Sequence, residues 1–184
     1  QTPYHAEKGV PGELRRLRVE LKLIADIWVI GVPNAGKSTL LAVDSHGRPK
    51  IANYPFTTLV PNLGVVSVGD WGTVVMADIP GLIEGAHMGA GLGFAFLRHI
   101  QRCRVLIHLL DGLSENPVAD FSQIMTELAL FDDDLPKRLQ VVALNKMDVP
   151  SVAERYPALK AEMKAHGHKL LAISAVTHEG TDDL

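Results

Sequence analysis

The sequence predicts an α/β domain built on a six-stranded, mostly parallel sheet with helices on both faces. Three observations predict it. Six short apolar runs, rich in β-branched residues, recur along the 184 residues. Stretches with apolar residues at three-to-four spacing separate the later runs. A glycine-rich turn follows the first run and opens a helix. Apolar runs without polar alternation are strands covered on both faces, and strand–helix alternation makes them parallel. In such sheets ligands sit at the carboxyl ends of the strands.

Taken in order, "LRRLRVELKL" near the start alternates like a strand, and the stretch before it is loop-like. Residues 1–25 therefore read as the tail of a preceding domain plus a linker. The strands follow as "DIWVIG" (26–31), "VVSV" (65–68), "TVVMAD" (73–78), "VLIHLLD" (105–111), "LQVVALN" (139–145) and "KLLAIS" (169–174). Between the fourth and fifth, Val118, Phe121, Met125, Leu128 and Phe131 form a core-facing helical stripe over 116–131. Asn116 is its cap and Pro117 its first helical residue. A second amphipathic helix spans 152–166 and stops at Gly167. A chain that begins at Gln1 and stops at Leu184 without an obvious terminus reads as an excised piece.

Composition narrows the function. Hydrophobic residues make up 47% and charged ones 21%, the balance of a globular protein with a core of ordinary size. A net charge of −3 argues against coating nucleic acid by bulk electrostatics, and no DNA partner is expected. No apolar run is long enough to span a membrane, and "QTPYHAEKGV" is no signal peptide. The single Cys103 excludes an internal disulfide and suits a reducing compartment, so the cytosol is expected. Cys103 enters an apolar strand, where packing is its ordinary role.

The chemistry begins with "GVPNAGKS", Gly31, Val32, Pro33, Asn34, Ala35, Gly36, Lys37 and Ser38. This is G-x-x-x-x-G-K-[ST] between a strand and a helix, a phosphate-binding loop. Its backbone N–H groups converge on phosphates, Lys37 reaches the β- and γ-phosphates, and Ser38 offers a hydroxyl to Mg²⁺. "DIPG", Asp78, Ile79, Pro80 and Gly81, is weak alone but ends a buried strand. Asp78 can hold Mg²⁺ through water while the Gly81 N–H meets the γ-phosphate. "NKMD", Asn145, Lys146, Met147 and Asp148, offers a carboxylate that accepts from guanine's ring N–H and amine together. Adenine has no such pair. "SAV", Ser174, Ala175 and Val176, follows the last strand and can present an N–H to the guanine carbonyl. Between the first two motifs, "KIANYPFTTLVPNLG" places a threonine pair in a polar loop suited to clamping Mg²⁺.

Together, "GVPNAGKST", "YPFTTLVPNLG", "ADIPGLIEGAHMGAGLG", "FLRHI" and "NKMD" resemble the Obg family of bacterial GTPases. "AEKGVPGELRRLRVELKLIAD" is similar to the end of that family's N-terminal glycine-rich domain and its junction. The resemblance implies a Ras-like P-loop GTPase domain over 26–184 that lacks its last helix. It also implies GTP and GDP as ligands, slow hydrolysis, fast exchange, and a role in large ribosomal subunit assembly and stress signalling. By that match Thr58 joins Ser38 and Asp78 at Mg²⁺, and Phe56, Thr57, Thr58, Leu59 and Val60 touch nucleotide. Ras-like enzymes place a water-orienting glutamine after D-x-x-G, where this chain has Leu82, which cannot hydrogen-bond. The resemblance assigns part of the missing work to Asn34, which helps hold a potassium ion near the phosphates. Catalysis thus falls to Asn34, Lys37, Thr58 and Gly81. The alternative for Asn34 is a structural bond to its own loop. Competing readings are a nucleotide-gated binding switch with incidental hydrolysis, or a related GTPase acting on tRNA or elsewhere in translation.

Several features have ordinary readings. Trp28 stands where the family usually has a small residue, so packing around it must differ. Asp44, Ser45 and His46 are neighbours, which a catalytic triad rarely is. His166 and His168 lack a third ligand for zinc, and "DDD" at 132–134 reads as a solvated loop. Gly85, Gly89, Gly91 and Gly93 suit hinges of a nucleotide-sensitive loop. Arg98, His99, Arg102 and Arg104 form a basic cluster, either a solvated face or a contact with ribosomal RNA or a protein.

Overall fold

The computed structural model describes residues 25–45, 50–51, 62–68, 72–78 and 103–184, together with the isolated positions 9, 12, 13 and 15. The strands are β1 (Ile27–Ile30), β2 (Lys50–Ile51), β3 (Asn62–Ser67), β4 (Thr73–Asp78), β5 (Val105–Asp111), β6 (Leu139–Asn145) and β7 (Leu170–Ala172). The helices are α1 (Lys37–Asp44), α2 (Pro117–Phe131) and α3 (Pro150–Ala165). The strands form one sheet in the order β2-β3-β4-β1-β5-β6-β7. All six expected strands are present, and the two-residue β2 joins them at one edge. β4, β1, β5, β6 and β7 pair in parallel, whereas β3 runs antiparallel to both β2 and β4.

Alternation along the strands sorts the core into two layers. Val29, Met76, Ile107, Leu109 and Ala143 face α1 and pack with its Leu40 and Leu41. Trp28, Ile30, Ala77 and Leu106 face the other way and pack with Ile124 and Leu128 of α2. Leu110, Val142 and Leu144 continue that layer under α2 and α3, meeting Phe121, Val152, Leu159 and Met163. Helices thus cover both faces. Trp28 is wholly buried, and the room for its indole comes from small neighbours, Ala25, Ala77 and Cys103. Burial pushes the Cys103 thiol up to about 11, which suits packing and disfavours the nucleophilic thiolate.

Several boundaries differ from the sequence reading. β3 starts three residues before the expected run, because Asn62 to Gly64 complete its ladder with Asp78 to Met76. α2 begins where expected: the Asn116 side chain accepts from the Ala119 N–H (3.0 Å) and Pro117 is the first helical residue. Its buried stripe includes Ile124, which the spacing argument passed over. α3 starts two residues early at Pro150 and contains Pro157 on its exposed side. The aspartates after α2 lie in an exposed loop, as expected, with local bonds of their own. The Asp134 N–H donates to Asp132 Oδ1 (2.9 Å), and Asp134 pairs with Lys137 at 3.0 Å.

Candidate functional site

The carboxyl ends of β1, β4, β5 and β6 carry the residues singled out above. The loop from Gly31 to Ser38 leaves β1 and turns directly into α1. Two of its residues must be glycine. A Cβ on Gly31 would collide with the Leu109 carbonyl oxygen, and one on Gly36, at φ 97°, with the Asn145 amide. Gly36 is also the N-cap of α1, with no side chain capping the first turn. The uncapped N–H groups and the positive end of the helix dipole therefore meet at this loop. Asn34 takes a left-handed conformation (φ 63°) and is exposed. Among the described residues its side chain forms no hydrogen bond. Pro33 and Ser38 are also exposed, Val32 is half-buried, and Ala35 is buried.

Lys37 folds back over the loop and donates from Nζ to the carbonyls of Gly31 (2.9 Å) and Val32 (3.0 Å). Burial lowers its pKa and the nearby Asp78 carboxylate raises it. Asp78 ends β4, in register with Val29 of β1 and Asn62 of β3. It is 3% exposed, and burial raises its pKa against the opposing pull of Lys37 and an Asn62 hydrogen bond. Its Oδ1 has no hydrogen-bond partner among the described residues. A buried carboxylate oxygen without a partner is costly unless a cation or water meets it. Asp78 and the Ser38 hydroxyl are hard oxygen donors, the type a Mg²⁺ ion takes, so the donor set fits that ion.

At the other end, Asn145 is a buried cross-link. Its Nδ2 donates to the Ala35 carbonyl (2.7 Å), and its Oδ1 accepts from the Ala175 N–H (2.9 Å). One side chain therefore joins the phosphate loop, the end of β6 and the turn after β7. The Met147 N–H donates to the Ile173 carbonyl (3.1 Å), tying the same two segments again. Asp148 is exposed, and its Oδ1 accepts from the Ser174 hydroxyl (2.7 Å). Val176 is 69% exposed beside them.

The structure thus brings together Gly31 to Ser38, Asp78, Asn145 to Asp148 and Ser174 to Val176. Phe56, Thr57, Thr58, Leu59, Val60, Ile79, Pro80, Gly81 and Leu82 lie outside the described residues, as do the four hinge glycines, Arg98, His99 and Arg102. Asp44 ends α1, Ser45 caps it from a buried position, and His46 is outside the described residues. His166 caps α3, while the His168 ring stands edge-on to Phe121 (4.9 Å). Two site residues were missed by the sequence reading. Asn62 bonds the Asp78 carboxylate, and Asp111, which ends β5, pairs with Lys146 at 2.8 Å. A carboxylate closing an apolar strand was the available signal for Asp111.

Comparison with known proteins matches residues 26–146 to the family described as 50S ribosome-binding GTPase. Among curated proteins, GTPase Obg of Roseiflexus castenholzii is 57% identical over the whole chain, which covers 42% of that protein. GTPase Obg of Caldanaerobacter subterraneus is 54% identical, again over the whole chain and 44% of its own length. The chain spans less than half of these two relatives. Among solved structures, an S. thermophilus NFeoB mutant bound to GDP superposes with a TM-score of 0.61. At 18% identity, over 87% of this chain and 59% of the other, it shares the fold.

Proposed function

Because the chain belongs to the Obg family of GTPases, we propose that it binds GTP and GDP together with Mg²⁺ and hydrolyses GTP slowly as a switch. The observation that carries this reading is the Asn145 cross-link, which puts a phosphate loop and a Ser174-supported Asp148 carboxylate on one rigid rim. A rim of that kind suits a ligand with phosphates at one end and a guanine base at the other.

Asp148 would accept from guanine's ring N–H and amine, and the turn at Ser174 to Val176 would meet the guanine carbonyl. The Gly31–Ser38 amides and the start of α1 would surround the phosphates, with Lys37 neutralising charge between them. Ser38 and Asp78 would hold Mg²⁺, with Thr58 assigned by resemblance, and the ion when bound neutralises charge on the phosphate oxygens. Lys37 must leave the Gly31 and Val32 carbonyls to reach a phosphate oxygen, and those bonds hold it poised until then. The Gly81 N–H would support the γ-phosphate. Leu82 cannot orient the attacking water, and by resemblance Asn34 would help through a potassium ion, a role compatible with its exposure. The resemblance further assigns residues 1–25 to the end of a glycine-rich domain and 26–184 to the GTPase domain. On that resemblance the whole protein would act at the large ribosomal subunit, in assembly and stress response, in the cytoplasm.

The test is a titration of guanine against adenine nucleotides, followed by multiple-turnover phosphate release with a Lys37→Ala control. GDP binding without ADP binding, and phosphate release above the control, are expected. Equal affinity for both bases would overturn the base assignment. Binding without turnover would leave the nucleotide-gated switch.

A further inference from the structure

The last residue of β5 is a buried carboxylate in register with Asn145, the first residue of the base-recognition segment. Asp111 accepts from the Leu113 N–H (2.9 Å) and from Lys146 Nζ (2.8 Å), so both its oxygens are turned inward to neighbours rather than to solvent. Its side chain is 11% exposed and that of Lys146 is 24% exposed. Such a pair is too shielded to count as an ordinary surface ion pair.

Lys146 itself is strained. Its φ of 70° lies in the left-handed region, which a long side chain rarely adopts. Surrounding contacts must hold that conformation. The backbone supplies two, through the Met147 N–H to the Ile173 carbonyl and the Val149 N–H to the Lys146 carbonyl. Asp111 supplies the third by anchoring the far end of the side chain. The loop that carries Asp111 is itself immobilised from α3. Arg155 donates to the carbonyls of Ser114 and Glu115 (both 3.0 Å) and, at 3.4 Å, of Gly112. Gly112 approaches so closely that a Cβ there would strike Val152 and the Asn145 carbonyl.

We propose that Asp111 is a positioning residue for base recognition: by holding the Lys146 ammonium it fixes the left-handed turn that presents Lys146 and Asp148 to the nucleotide base. The inference rests on the guanine-nucleotide reading above. It adds a residue to that site, from a strand none of the sequence motifs includes.

A double-mutant cycle tests it. GDP affinity is measured for the unmodified protein, Asp111→Asn, Lys146→Met and the double variant, with thermal unfolding recorded for each. Asp111→Asn keeps an acceptor for the Leu113 N–H and removes only the charge that holds Lys146. Contacting residues commonly couple by enough for about a tenfold effect. Asp111→Asn should therefore weaken GDP binding by about tenfold when Lys146 is present, and hardly at all in the Lys146→Met background. Equal losses in both backgrounds, or no loss in either, would overturn the proposal, since a purely structural carboxylate acts whatever stands at 146. Should Asp111→Asn not fold, Asp111→Ser, which also keeps an oxygen acceptor and removes the charge, is read by the same criterion. An unmodified protein that takes up no GDP overturns the guanine reading, and this proposal with it.

Discussion

The two ends of the candidate site are built differently. At the base end, the buried polar side chains among the described residues are already partnered by protein. Asn145 bonds Ala35 and Ala175, Ser174 bonds Asp148, and Asp111 bonds Lys146. At the phosphate end, the first turn of α1 has no side-chain cap and Asp78 Oδ1 has no partner among the described residues. Among the described residues, Lys37 donates to carbonyls of its own loop. Preformed geometry discriminates between ligands, whereas under-satisfied charge responds to them. On the proposed reading, the base end would select a ligand and the phosphate end would change with it.

The harshest way to break that contrast is to remove the side chain that couples the ends. Asn145→Ala strands the Ala35 carbonyl and the Ala175 N–H in a buried setting, each at roughly 1–3 kcal/mol. A stability loss of about 2–6 kcal/mol in urea unfolding is expected, together with loss of GDP binding. Intact stability would show that the ends are held by other contacts.

Acid probes the fold that carries both ends. His108 lies in the ladder between Ile30 and Val142, fully buried, against the Phe121 ring at 4.6 Å with His168 beyond it. Neither ring nitrogen has a partner among the described residues, and burial pushes its pKa down to about 3, with His168 adding to the shift. The unfolded chain takes up a proton near pH 6.5 that the fold refuses. Stability is therefore intact above that pH and is lost progressively as pH falls toward 3, by about 2 kcal/mol at pH 5. Asp78 runs the other way: its raised pKa makes the fold the better proton acceptor, so acid relieves strain at the phosphate end. Urea unfolding at pH 7 and pH 5 should show the net loss, and His108→Leu should flatten it. An undiminished pH dependence in that variant would assign the effect elsewhere.

Selection at the base end is probed more narrowly by Asp148→Asn. Two charge-assisted bonds to the base are at stake, each worth roughly 1.5–3 kcal/mol. At least a tenfold loss of GDP affinity is expected, with improved tolerance of xanthine nucleotides. Unchanged GDP binding would remove Asp148 from the site.

The smallest effect belongs to the phosphate end. Replacing sodium by potassium should raise GTP hydrolysis several-fold, less than an arginine finger at about 10³–10⁵. Asn34→Ala should abolish that gain and leave GDP binding nearly intact. No response to potassium would rule the ion out, and loss of all hydrolysis in Leu82→Ala would show that Leu82 is no bystander.

Much of this was legible in the residues themselves. Continuous apolar runs marked six strands, and Asn116 with Pro117 marked the start of α2, because those signals are local. What escaped depends on register. Asn62 sits in a polar, proline-flanked stretch and becomes strand only because Asp78 lies opposite it. Lys50 and Ile51 are strand only by pairing with Leu63 and Asn62. Asp111 gains its role from Lys146, which β5–β6 pairing brings alongside. Position in a motif identified Asn145, but nothing in the motif says that its amide would reach both Ala35 and Ala175.

The strand order also dictates when the phosphate loop can come into being. β1 is central, and its partners come late in the chain: Ile27 pairs with Met76 on one side and Val105 on the other. Parallel pairing across such separations closes large loops before any contact rewards them, which slows folding. During synthesis the segment bearing Gly31 to Ser38 emerges before β5, so its apolar strand would stay uncovered until β5 has followed. Nascent chains halted before residue 105 should therefore lack nucleotide affinity and invite chaperones, while those extended past β7 should acquire both sheet and ligand in one step.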